Sequence, residues 1–171
     1  MSKQKLKDIS IESLMDTLAS KDGMARQKAR ESLVVLGKPA VPNLTHVLQN
    51  SKSDHLRWEA AKILGRIGDT KAIPSLVKAL EDDDHDVAWL AAEALIKFKK
   101  TAWSVLLHAL IKSGDDSISL RQGAHHVLRN QKEDGFKDLL TTLLVALQPS
   151  AAPELTAITA SEILKRMKAK S

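Results

Sequence analysis

Histidines and carboxylates make up most of this chain's stock of reactive side chains. There are six His, 21 Asp plus Glu, and no Cys. Without Cys there are no disulfides, thiolate zinc sites or thiol nucleophiles. The histidines are poorly spaced for a metal. His125 and His126 are adjacent, so on a helix they point about 100° apart. No His-x-x-x-His pair occurs, and no His is followed by Glu. Gly-x-Gly-x-x-Gly, a phosphate loop and Gly-x-Ser-x-Gly are all missing. Acids cluster in Glu81-Asp82-Asp83-Asp84, but carboxylates in a polar loop stay ionised and make poor acid catalysts. The sequence thus predicts no catalytic residue, no cofactor, no metal and a chain that is not an enzyme.

What remains is recognition chemistry, which depends on how the chain is laid out. Asp54–Leu64 reads DHLRWEAAKIL and is echoed by His85–Leu95, HDVAWLAAEAL. Ala72–Leu80, AIPSLVKAL, is echoed by Ala102–Leu110, AWSVLLHAL. A period of about thirty residues is the mark of stacked helical units. One two-helix unit cannot hide both its apolar stripes, so its neighbours must complete the burial. Ala29, Ala60, Ala91, Ala124 and Ala160 fall at one recurring position, where a small side chain lets helices approach closely.

The individual helices follow from stripes and punctuation. Ile11, Leu14, Met15 and Leu18 predict a helix over 10–20, capped by Asp8 or Ser10, after a disordered lead 1–8. Asp22 opens the next, with Ala25, Ala29, Leu33 and Leu36 on one face and Gly37 as the stop. Pro42 and Pro74 each suit the first turn of a second helix. Asp54 is expected to cap a helix striped by Leu56, Ala60, Ile63, Leu64 and Ile67, and 72–82 is expected to be its helical partner. Helices from the acidic run to about Lys99 and over 101–113 come next. A unit opening at Gly114-Asp115-Asp116 carries Leu120, Ala124, Val127 and Leu128. The helix 134–148 is apolar nearly all round and should be covered on more than one side. In the last helix, 153–168, Ile158, Ala160 and Leu164 match Trp58, Ala60 and Leu64.

The expected architecture is all-α: an α-solenoid, a superhelix of antiparallel helix pairs with about nine helices. It forms a single domain over 1–171. The repeats are about 22–50, 53–82, 83–113 and 114–148, and half-repeats at 9–20 and 152–169 close the ends. The bulk composition agrees. The chain has 171 residues, 43% hydrophobic and 27% charged, with only 7 Gly and 5 Pro. Ala and Leu favour long helices. No apolar run approaches the ~20 residues of a membrane span, and the charged start MSKQKLK is no signal peptide. Together with the lack of Cys, this predicts a cytoplasmic protein with no membrane partner.

These motifs resemble the HEAT repeat, in the short variant associated with phycobilisome-lyase-like proteins. The matching text is Leu80–Val87 with Ala91–Leu95, then Leu64–Asp69 and Ala72–Leu76. The resemblance covers about 22–148. It implies a solenoid that binds partners on its concave face, and it does not imply lyase chemistry, since the repeat serves many functions. It also implies that Arg26, Arg57 and Arg121 pair with acids of neighbouring loops, a ladder broken at Ala88.

In such repeats the second helices line the concave side. Their outward positions give one row, Asp16, His46, Lys78 and His108, and a neighbouring row, Asn43, Ser75 and Val105. These seven are the expected partner-binding residues. His46 and His108 lie two repeats apart, too far to share an ion. The rims should differ in charge. Acids such as Asp22, Asp54, Asp84 and Asp116 enter the first helices, and bases such as Lys38, Arg66, Lys97 and Arg129 leave them. Trp58 and Trp89 share one repeat position and are expected to pack as scaffold, and Trp103 matches Ile73 and should be buried. The function this predicts is a non-catalytic scaffold or adaptor gripping a protein or peptide. One alternative is a nucleic-acid-binding solenoid resembling HEAT-like DNA glycosylases. It is disfavoured because the net charge of +5 sits at the chain ends and the inner row is mixed in sign. Another alternative is a bilin lyase-like or enzyme-associated chaperone.

Overall fold

A computed structural model describes residues 10–113, 116–152 and 154–169. The expected lead 1–8 with its cap candidate Asp8, the opening Gly114-Asp115 and Pro153 lie outside the described residues. Ten α-helices, and no strand, occur among those described: α1 Ile11–Leu18, α2 Gly23–Leu36, α3 Val41–Asn50, α4 Asp54–Ile67, α5 Ile73–Lys78, α6 His85–Phe98, α7 Lys100–Ser113, α8 Ile118–Leu128, α9 Lys137–Ala146 and α10 Glu154–Ala169. The fold is an all-helical solenoid of antiparallel helix pairs.

The helices pack in two rows. α2, α4, α6 and α8 lie side by side, while α3, α5 and α7 form the second row and α1 packs on α2. Ala29, Ala60, Ala91, Ala124 and Ala160 are all buried, as their recurrence requires. Gly65 marks the tightest joint, since a Cβ there would meet Ala94 Cβ at 2.8 Å. Helices α4 and α6 can approach this closely only because position 65 has no side chain. The last helix, α10, packs against α7 and α9. There Ala160 and Leu164 are buried while Ile158 is 55% exposed.

Local chemistry sets the helix ends. Ser10, Asp22, Asp84 and Ser117 cap their helices by accepting from backbone amides. Asp54 does not cap α4: Ser53 holds that place, accepting from the Leu56 amide. Asp54 instead joins the first turn, where a carboxylate still favours the helix dipole. The expected helix 72–82 is a short α-helix between two 3₁₀ turns, Thr70–Ala72 and Ala79–Glu81. Pro42 and Pro74 occupy first turns as expected. Gly37 and Gly68 end α2 and α4 with positive φ, which glycine adopts freely, whereas Lys99 ends α6 at φ 51°, where a side chain is strained.

Trp103 is buried, edge-on to Phe136 at 5.7 Å between centroids. The helix expected over 134–148 is shorter, and Phe136, Leu140, Leu143, Ala146 and Leu147 are buried, yet Val145 stays 61% exposed. The expected cover is therefore incomplete on that flank. No helix of the described residues is long and apolar enough to cross a membrane.

Candidate functional site

The second-helix wall is built from α1, α3, α5 and α7. Asp16, Asn43 and His46 line one shallow hollow between α1 and α3. Ser75 and Lys78 line another, beside the loop carboxylates Asp82 and Asp83. Val105 is half-buried and His108 exposed on α7. Asp16, His46 and Lys78 are exposed too, and Asn43 is half-buried. Ser75 departs from the expected outward row: it is buried, and its hydroxyl accepts from Gln49 Nε2 at 2.9 Å. The reason is local, since Gln49 on α3 reaches across and covers it. His108 Nδ1–H donates to the Ser104 carbonyl at 2.6 Å, which leaves Nε2 as its outward group. The wall is mixed in charge, as a surface for a polar protein segment would be.

The first-helix face holds the strongest electrostatics, and little of it was legible in sequence. Arg30 on α2 grips Glu59 on α4 through two hydrogen bonds of 2.6 Å, and the Glu59 side chain is fully buried. Glu59's hydrogen bond and charge push the Arg30 guanidinium above its ordinary range, against the opposing effect of burial. Such a pair fixes α2 against α4, because a buried carboxylate without its partner is costly. Beside it, Lys62 Nζ stands 4.3 Å from the Trp58 ring centroid and Arg30 Cζ 5.8 Å from it. His55 stacks on the same ring.

The three recurring arginines each donate to a loop carbonyl but differ in their acid partners. Arg57 pairs with Asp82 at 2.8 Å and Asp83 at 2.6 Å. Arg57 also donates to the Ser51 carbonyl, Arg26 to the carbonyls of Ser20 and Lys21, and Arg121 to those of Ala146 and Gln148. All three tie loops through backbone oxygens, and among them only Arg57 adds the implied acid pairing. Burial opposes ionisation of Asp82, but the Arg57 hydrogen bond and charge and the Asp84 backbone N–H outweigh it. Its carboxyl is held below the usual carboxylate range.

Trp89 does not pack as scaffold. It is 49% exposed, between a hollow shared with α4 and another shared with α8. The charged ends do segregate. Asp22, Asp54 and Asp84 stand at first-helix N-termini, and Arg66, Lys97 and Lys99 at C-termini, as the helix dipole favours. Among the described residues no group of three or more His, Cys, Asp or Glu has metal-holding geometry.

A profile of the family described as HEAT repeats matches residues 11–96. No curated protein sequence matches the chain. Among solved structures, one chain of the complex of CpcE and CpcF of phycocyanin lyase from Nostoc sp. PCC7120 is similar. The TM-score is 0.57 at 24% identity, over 88% of this chain and 97% of that one. This corrects the expectation that the chain is simply no enzyme. The same fold stands inside a lyase complex, so a solenoid without catalytic motifs is not thereby set apart from enzymes.

Proposed function

The chain belongs to the HEAT-repeat family, and from that premise we propose that it is a protein-binding solenoid serving an enzyme assembly of the lyase type. The observation that carries this reading is the match, over nearly the whole length of both chains, to a subunit of the CpcE and CpcF complex of phycocyanin lyase. In this reading the units are 22–50, 53–82, 83–113 and 114–148, with 9–20 and 152–169 closing the ends. The wall carrying Asp16, Asn43, His46, Lys78, Val105 and His108 grips the partner, with Ser75 buried behind Gln49. The exposed, mixed-sign side chains of that wall support this, since polar complementarity fixes register and partner choice. The rigid first-helix row holds the wall in shape through pairs such as Arg30–Glu59.

The test is capture from a lysate of the source cells with wild type and with Lys78→Glu plus His108→Ala. The double variant is expected to fold and to lose a specific protein that wild type retains. A folded variant that retains the same protein contradicts the reading. Direct handling of a pigment is the second reading, favoured by the same structural match. Free bilin mixed with the protein would then shift its absorbance, and an unchanged spectrum removes that reading.

A further inference from the structure

Trp58 and Trp89 hold equivalent positions on α4 and α6, yet one ring is covered and the other is open. One helical turn after Trp58 stands Lys62, with its Nζ over the ring. One turn after Trp89 stands Glu93, whose carboxylate accepts instead from His126 Nε2 at 2.8 Å. Among the described residues, no cation lies over Trp89. A second difference falls on the preceding residue. Arg57 precedes Trp58 and fills its own space by reaching Asp82 and Asp83. Ala88 precedes Trp89, at the position where Arg26, Arg57 and Arg121 stand elsewhere. Ala88 and Trp89 line one hollow of about 370 Å³ between α6 and α8, with Asp82, Asp83 and Gln122 on its walls. The two Asp share one guanidinium, that of Arg57, so this wall keeps negative charge.

We propose that this hollow receives the arginine side chain of a partner protein, its guanidinium laid on Trp89 and facing Asp83. A planar guanidinium stacks on indole and pairs with carboxylate in one pose, which a lysine ammonium does not. The methylene stem covers apolar ground at Ala88 and Leu80. A solvent-exposed Trp ringed by polar groups is the kind of residue on which binding energy concentrates. The negative wall disfavours nucleic acid, whose phosphates it would repel. The hollow shares the Asp82–Asp83 loop with the second-helix wall, but Ala88, Trp89 and Gln122 are not part of that wall, so a response at Trp89 tells the two apart.

The three indole N–H signals in a ¹H–¹⁵N NMR spectrum report on Trp58, Trp89 and Trp103 separately. The probes are an N-acetylated, C-amidated Gly-Arg-Gly tripeptide, its uncharged citrulline counterpart and a short oligothymidylate. The arginine peptide is expected to shift the Trp89 signal saturably and leave Trp103 unmoved. The citrulline peptide is expected to bind about fivefold more weakly or worse. Glu93→Lys supplies the cover that Lys62 gives Trp58, and is expected to weaken arginine binding by a similar factor. Ala88→Arg supplies the guanidinium from within the chain and gives the same result should Glu93→Lys misfold. The proposal is overturned if Trp89 does not respond, if citrulline binds equally, if both folded variants bind like wild type, or if oligothymidylate shifts Trp89 more than the arginine peptide does.

Discussion

Helices α4 and α6 repeat one pattern of buried residues, and comparing them separates scaffold from surface. Ala60, Ala61, Ile63 and Leu64 are buried in one, and Ala91, Ala92, Ala94 and Leu95 in the other. The outward residues differ in kind. On α4, Arg57 ties down the next loop, Glu59 anchors α2, and Lys62 covers Trp58. On α6 the same positions hold Ala88, Leu90 and Glu93, and Trp89 stands open. Burial constrains the inward residues alike in every unit, because each packs on a near-identical neighbour. The outward residues are free to diverge, and there one unit is locked by charge while the next is left available.

Four substitutions test that contrast, and the largest effect falls on the locked unit. Arg30→Ala leaves Glu59 buried without its partner, and is expected to destabilise by about 3–5 kcal/mol, read from denaturant unfolding. A loss under about 1 kcal/mol would mean that the pair is not the anchor described. Next, Gly65→Ala forces a methyl onto Ala94 at the α4–α6 joint. It is expected to cost about 1–3 kcal/mol by overpacking, whereas a neutral result would mean the helices are not so close.

The third concerns acid. Asp82 titrates lower in the folded chain than when unfolded. Its contribution is therefore present above the unfolded carboxylate value, near pH 4, and is lost as pH falls through the depressed folded value. Arg57→Gln removes the main cause of that depression. The variant should be less stable than wild type by about 2 kcal/mol at pH 7, and the gap should narrow on acidification below about pH 4. A gap that is constant with pH would show that the carboxylates do not matter. The smallest effect is a gain: Lys99→Gly relieves a positive φ that α2 and α4 entrust to glycine, worth about 1 kcal/mol of added stability.

The same contrast explains what the sequence could disclose. The row of small residues at Ala29, Ala60, Ala91, Ala124 and Ala160 was legible because burial recurs in each unit and leaves a period. Trp103 was legible for the same reason, through its match to Ile73. Arg30–Glu59 was not legible, because neither residue recurs: Ala61 matches Arg30, and Leu90 matches Glu59. A pair formed once, between helices, leaves no periodic trace. Trp89 departs from its expectation because an equivalent repeat position does not bring equal surroundings. What covers Trp58 comes from Lys62 and Arg30, and at the equivalent positions Glu93 and Ala61 put no cation over Trp89. The signal was present in Glu93 and Ala88, but it lay in departures from the repeat. Ser75 leaves the outward row because only the fold brings Gln49 across to it.

Indole accessibility separates a covered tryptophan from its open twin on one scaffold. Paramagnetic relaxation by a neutral soluble probe ranks the three indole N–H groups without changing the chain. The expected order is Trp89 strongest, Trp58 weaker and Trp103 weakest, with Lys62→Glu raising Trp58 towards Trp89. Equal relaxation of Trp58 and Trp89 in wild type, or a Trp89 as protected as Trp103, would contradict it.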